Sequence, residues 1–176
     1  MAARSRDPRV RLAQRVLRVL QVPRDLLARR DHSCGELNRK LAQRGFSDTE
    51  IESAIEACLR LEYLDDRRFA LGYCRQLQRK GYGRRHIRHM LHAKQVPESI
   101  VAGILDSHCN DAEEQTNCRR MLKKKMGSLG SKFKPAVIRS KMYQYLLGRG
   151  FTPPVIRGVI RDLAQWPENA GEKKSS

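Results

Sequence analysis

The sequence predicts an all-α protein: an elongated array of three tandem three-helix repeats behind an N-terminal lead-in helix. Three observations carry this. Apolar residues recur every three or four positions between recognisable helix caps. Aromatic residues make up only 6% of the 176, and Gly and Pro number 12 and 7, which leans away from a β-rich domain. Finally, one apolar pattern is written three times. Around Phe46 the apolar positions are −9, −5, 0, +5 and +9, namely Leu37, Leu41, Phe46, Ile51 and Ile55. Fifty residues on, the same offsets give Ile87, Leu91, Val96, Val101 and Leu105; another fifty-five give Met142, Leu146, Phe151, Ile156 and Ile160. All fifteen positions are apolar in a chain that is 40% apolar, so the match is an internal repeat. A basic residue recurs at −2, as Arg44, Lys94 and Arg149. Each unit has too little apolar surface to bury alone, and stacked neighbours share a core.

The elements follow in order. Residues 1–30 form the lead-in, where Asp7 and Pro8 open a helix carrying Val10, Ala13, Leu17 and Leu20. Pro23 is expected to break or kink it before "RDLLARR". Repeat 1 spans 31–80. Ser33 with Glu36 makes an S-x-x-E capping box for a helix that ends at Gly45, and Ser47 with Glu50 makes a second, with Phe46 and Ile51 as its staple. Ile51, Ile55, Cys58 and Leu59 form the apolar stripe of that second helix. Asp65 caps a third, with Leu64 and Phe69 as staple and Phe69, Tyr73 and Leu77 on its buried face. Truncating Phe46 or Phe69 to Ala is expected to cost roughly 3–5 kcal/mol.

Repeat 2 spans 81–126. Gly81 ends one helix, Tyr82 and Ile87 staple, and Gly83 caps the next. This repeat has Gln95 where the others have Gly, at a small expected cost in stability. A linker, 127–134, leads to repeat 3 at 135–166, where Gly150 ends a helix, Thr152 caps the next and Pro153 takes its first turn. The tail, 167–176, is polar and expected to fray.

The charge is large and segregated. A net +17 and a pI near 10.3 favour polyanionic partners and say nothing about fold. Residues 48–66 hold seven acids (Asp48, Glu50, Glu52, Glu56, Glu62, Asp65, Asp66) and one base, Arg60. Residues 72–97 hold seven Lys or Arg and no acid, and 119–141 hold nine and no acid. The basic surface so defined comprises Arg79, Lys80, Arg84, Arg85, Arg88, Lys94, Arg119, Arg120, Lys123, Lys124, Lys125, Lys132, Lys134, Arg139 and Lys141. Arg84 and Arg85 fall in the first turn of a helix, where positive charge is unfavourable by roughly 0.3–1 kcal/mol each. Stability does not ask for them there, and a helix N-terminus ringed with Arg suits an anion.

No stretch approaches the eighteen or so apolar residues a membrane span needs, and the N-terminal segment interleaves Arg with its apolar residues instead of forming a signal. Five cysteines, Cys34, Cys58, Cys74, Cys109 and Cys118, are odd in number and contain no C-x-x-C, which points to a reducing cytosol. Cys58 and Cys74 fall on apolar stripes; Cys34 falls in a first helical turn and is read as inert. "GSLGSK" lacks phosphate-loop spacing, and His86, His89 and His92 have no carboxylate or Cys close in sequence to complete a metal site. No catalytic motif, cofactor or metal site is expected.

"ARRDHSCGEL" (28–37), "LAQRGF" (41–46), "YLDDRRFA" (63–70) and "RKGYGRRHIRHML" (79–91) together resemble the RecX family, bacterial modulators of the RecA recombinase. The family pattern runs R-D-H-S-x-x-E-L, Y-L-D-D-x-R-F-A and K-G-Y-G-x-x-R-I-R, and the likeness covers about residues 10 to 165. His86 stands where the family usually has Arg, and Gln95 where it usually has Gly. The resemblance implies an all-helical, non-catalytic cytoplasmic regulator of three three-helix units. It implies engagement of the groove of the RecA–DNA filament; the chain is expected to be a monomer, with weak, salt-dependent contact to single- or double-stranded DNA and none to membrane. Filament extension, ATP hydrolysis, strand exchange and co-protease activity would be impeded. Charge reversal at Arg84, Arg85 and Arg88 is the expected way to weaken it. The rival reading is a helix-turn-helix DNA-binding protein acting directly on nucleic acid, against which the acidic helix at 48–62 stands.

Overall fold

The computed structural model describes residues 21–129 and 135–163. Every regular element among them is helical: a stretch over 21–27, then α1 (Cys34–Ala42), α2 (Asp48–Arg60), α3 (Asp66–Arg79), α4 (Arg84–Ala93), α5 (Glu98–His108), α6 (Asp111–Leu129), α7 (Pro135–Gly148) and α8 (Pro153–Leu163). The lead-in positions Val10, Ala13, Leu17 and Leu20, the 130–134 part of the linker and the tail lie outside the described residues. The chain runs helical as far as Leu129, into the stretch expected as linker. Pro23 does not break its helix, since residues on both sides of it are helical. Its φ is compatible with the helix, and what it lacks is one N–H.

One turn design recurs. After α1, α2, α3, α4 and α7 the chain enters the left-handed region at Gly45 (φ 76°), Glu62 (57°), Gly81 (82°), Gln95 (56°) and Gly150 (81°). Each time the next residue's N–H returns to a carbonyl five residues back: Phe46 to Leu41, Tyr63 to Cys58, Tyr82 to Leu77, Val96 to Leu91 and Phe151 to Leu146. The left-handed residue itself bonds three back, as Gly45 does to Ala42 and Gln95 to His92. These are Schellman closures, which satisfy carbonyls that a helix end leaves bare. The −5 and 0 positions of the repeat are therefore the two ends of one hydrogen bond.

Helix starts are equally explicit. Ser33 Oγ accepts from the Glu36 N–H at 3.0 Å, Asp65 from the Arg68 N–H at 2.9 Å, and Asn110 from the Glu113 N–H at 3.0 Å. The Ser47–Glu50 box closes, Glu50 accepting the Ser47 N–H at 2.8 Å. The Ser33–Glu36 box does not: the Glu36 carboxylate turns to cationic partners instead.

The described residues divide into two compact units, one of 21–73 and 91–102, the other of 74–90, 103–129 and 135–163. In the first, α1 packs on α2, and Leu37, Leu41, Ile51, Ala54, Cys58 and Leu64 form a core flanked by Leu26, Phe46 and Ile55. In the second, α6, α7 and α8 pack pairwise around Cys118, Met121, Leu122, Met142, Leu146, Phe151, Val155, Ile156 and Val159. Twelve of the fifteen repeat positions are buried; Phe46, Ile55 and Ile160 are half-buried. Phe46 therefore costs less on truncation than the fully buried Phe151. Leu59, expected on the α2 stripe, is 46% exposed, because Ile51, Ala54 and Cys58 already span the buried sector.

Gln95 occupies a conformation that costs a non-glycine residue on the order of 1 kcal/mol. Gln95→Gly is expected to raise stability by about that amount, or a Tm shift of roughly 2–4 °C, and Glu62→Gly by a similar step. Thermal and urea unfolding of both variants check this.

Candidate functional site: a basic surface and what holds it

Charge divides with the units. The described residues of the second unit carry sixteen Lys and Arg against five Asp and Glu, whereas those of the first carry ten against eleven. Of the fifteen expected surface bases only Lys94 belongs to the first unit, and Lys132 and Lys134 lie outside the described residues.

Lys94 is a structural cation. Glu36 is 2% exposed and accepts from Arg30 at 2.6 and 3.0 Å and from Lys94 at 3.0 Å. Lys94 also lies over the Tyr73 ring at 5.9 Å, and its carbonyl takes the Ser33 hydroxyl. Burial opposes ionisation of Glu36, but the hydrogen bonds and charges of Arg30 and Lys94 outweigh it and hold the carboxyl down at about 2. The neighbouring motif residues are equally internal. His32 is buried with Nδ1 on the Arg30 carbonyl and Nε2 at 2.9 Å from Lys40, and burial lowers its pKa. Asp66 reaches α1 and accepts the Cys34 N–H at 2.7 Å. Burial and the Asp66 charge push the Cys34 thiol up to about 12, so it is no thiolate nucleophile at neutral pH.

In the second unit the K-G-Y-G turn meets the R-G-F turn. The Gly83 N–H donates to the Arg149 carbonyl at 2.9 Å and the Arg85 N–H to the Gly150 carbonyl at 3.0 Å. A Cβ at Gly83 would stand 2.5 Å from the Phe151 nitrogen and 2.6 Å from the Gly150 oxygen, so a glycine is required there. The buried Glu114 carboxylate accepts the Arg84 N–H and the Thr152 N–H, each at 3.2 Å, and the Thr152 hydroxyl at 3.3 Å. It thus caps α4 and α8 together, although burial pushes its pKa up. The anion received at the arginine-ringed start of α4 is this internal one, and the amides expected to greet a ligand are already taken.

Side chains divide into engaged and unengaged. The Arg84 guanidinium is half-buried, donates to the Leu105 and Cys109 carbonyls at 2.9 and 3.0 Å and pairs with Asp106. It closes the end of α5. Arg119 pairs with Asp162 at 2.8 Å. Arg120 donates to the Gln78 carbonyl at 2.7 Å and to Asn117. Arg149 donates to the Lys80 carbonyl at 2.9 Å with its guanidinium over the Tyr82 and Tyr145 rings at 5.2 and 5.3 Å. Tyr82 stacks on His86 at 4.0 Å, and Lys125 lies 5.5 Å from the Tyr145 ring centre. Burial, His89 and Arg149 lower the His86 pKa. His92 faces Glu98 at 2.9 Å. Arg88, Lys123, Lys125 and Lys141 also have interactions within the chain. Arg79, Lys80, Arg85, Lys124 and Arg139 are exposed, and no hydrogen bond or ion pair ties their side chains to a described residue.

Two surface arginines went unflagged in the sequence: Arg157 and Arg161, exposed on α8. Their i, i+4 spacing is a legible signal, but the stretch is short and Asp162 adjoins it.

Comparison with known proteins places this arrangement. The family models described as the first, second and third three-helix domains of RecX match residues 25–58, 65–105 and 112–160. Each match begins on or near the helix preceding a tight-turned pair. Two proteins named Regulatory protein RecX are similar along most of their length. That of Vibrio vulnificus (strain CMCP6) is 39% identical over 139 residues, 79% of this chain and 88% of that protein. That of Stenotrophomonas maltophilia (strain K279a) is 33% identical over 136 residues, 77% and 81% respectively. The crystal structure of RecX from Lactobacillus salivarius superposes with a TM-score of 0.78 at 19% identity, over 87% of this chain and 99% of that one, a likeness of fold.

The Glu36 triad predicts an acid response. Because the folded pKa lies below the unfolded value of about 4.3, its contribution is present above that pH and lost as pH falls toward 2. Glu36→Gln is expected to be about 2 kcal/mol less stable at pH 7 and to approach wild type in acid, as urea midpoints from pH 7 to 2 would read.

Proposed function

The chain belongs to the RecX family of regulatory proteins, and on that premise we propose that it binds the RecA–DNA filament and inhibits RecA. It acts by occupancy in the cytoplasm, where RecA works, and performs no chemistry of its own. Filament extension, ATP hydrolysis, strand exchange and co-protease activity fall together, because all require a freely growing and opening filament.

The observation that carries this reading is the division of charge. Among the described residues one unit has sixteen bases to five acids and the other is nearly balanced with an acid-rich α2. A filament of protein and DNA offers both signs of surface, whereas naked nucleic acid offers only one. Direct DNA reading by the second helix of each tight-turned pair fits poorly. In α2 the exposed Glu52 and Glu56 face solvent, and α5 contains no Lys or Arg.

The contact is assigned to bases that the fold does not use. Arg84 is excluded, since its reversal would open the end of α5 and confuse stability with binding. Arg79, Lys80 and Arg85 remain, flanking the K-G-Y-G turn. The test is RecA ATP hydrolysis on single-stranded DNA, titrated with wild type and with Arg79→Glu/Lys80→Glu/Arg85→Glu. Wild type should inhibit at well below one molecule per RecA protomer. The variant should need about tenfold more, the equivalent of 1.4 kcal/mol, at unchanged thermal stability. Inhibition only once the DNA itself is saturated would reject the filament reading in favour of a DNA binder.

A further inference from the structure

We propose that the cleft between α7 and α8 is a phosphate-binding site for a single nucleic-acid strand. It is an open cleft of about 480 Å³ lined by Arg139, Ser140 and Tyr143 from α7 and by Arg157, Ile160 and Arg161 from α8. Three arginines line one concavity, and among the described residues no Asp or Glu lines it.

These arginines, like Arg79 and Arg85, are ones the fold makes no use of. Arg84, Arg119, Arg120 and Arg149 each donate to a named carbonyl or carboxylate. Arg139, Arg157 and Arg161 are exposed and make no hydrogen bond or ion pair to a described residue. Asp162, the acid of α8, is held by Arg119. Arg157 and Arg161 stand one turn apart, where like charges repel, so helix stability does not explain them. α8 is also the only one of α2, α5 and α8, the second helices of the tight-turned pairs, with Arg in its middle turns.

The lining selects the ligand. Guanidinium forks match phosphate oxygens, the Ser140 hydroxyl adds a donor, and the half-buried Tyr143 and Ile160 leave an apolar wall for a base to lie against. Four residues of helix set Arg157 and Arg161 about 6 Å apart along the axis, on the order of one nucleotide step. An acidic peptide would use the arginines but has no planar group to place on that wall, so the strand is favoured.

The test is fluorescence anisotropy of a labelled oligothymidylate with the full chain across a salt series. Arg139→Ala/Arg157→Ala/Arg161→Ala is compared with wild type and with a charge-matched control, Arg60→Ala/Arg67→Ala/Arg75→Ala. If each cleft arginine meets one phosphate, the triple variant's log–log salt slope should be shallower by about two and its affinity at low salt down about tenfold or more. The control should keep the wild-type slope. Arg157→Gln alone should lower the slope by about 0.7, which keeps the test open if the triple variant folds poorly. A triple variant with the wild-type slope overturns the proposal, as does wild type that fails to bind the oligonucleotide at low salt. Poly-glutamate that binds wild type more tightly than the oligonucleotide, and is lost in the triple variant, overturns it in favour of an acidic protein partner. No RecA is present, so failure here leaves the filament reading standing.

Discussion

A helix that ends must dispose of its last carbonyls, and among the described residues the same left-handed closure does so five times. The rest of the architecture depends on it. A residue at positive φ turns the chain back within two positions, and the residue after it bonds to the carbonyl five before. At the ends of α1, α4 and α7 those two residues are Leu41 and Phe46, Leu91 and Val96, Leu146 and Phe151. The hydrogen bond thus brings two apolar side chains together at the corner, and the next helix starts with its burial already set. Three corners of this kind produce the three apolar repeats seen in the sequence. Glycine is the unstrained residue for the turn; Glu62 and Gln95 adopt it at a conformational cost.

Corners alone do not specify which element meets which. That falls to carboxylates reaching far along the sequence. Glu36 gathers Arg30 and Lys94, Asp66 takes an amide of α1, and Glu114 takes amides at the starts of α4 and α8. Buried charge is costly unless every oxygen finds donors, and both oxygens of the buried Glu36 and Glu114 have them. Such contacts tolerate little displacement, so they act as registers for the helices they join. Much of the R-D-H-S and Y-L-D-D pattern is accounted for in this way, as scaffold.

The same principle sorts the basic residues. A run of arginines looks uniform when written out, yet Arg84 closes a helix end inside the second unit while its neighbour Arg85 is exposed. An arginine whose donors are spent on internal carbonyls contributes field but little specific contact; one without internal partners can meet a ligand at no cost to the fold. Net charge draws a polyanionic partner near. Which arginines touch it is decided by what the fold leaves free.

The helical class, the threefold repeat, the caps at Ser33, Ser47 and Asp65, the corner glycines and the segregation of charge are all legible in the sequence. These are set by spacing and by nearest-neighbour hydrogen bonding, which act over a few residues and so are written locally. It misled at Glu36, read as half of a local capping box, at Leu59, whose stripe was already full, and at the start of α4, taken to await an anion from outside. Those points are set by long-range contacts. The partners of Glu36, Arg84 and Arg149 lie up to 69 residues away in sequence, and no local pattern reports a bond between segments that only folding brings together. The Arg139–Arg157–Arg161 cleft emerged for the same reason: its two walls come from different helices, and neither wall alone is a site.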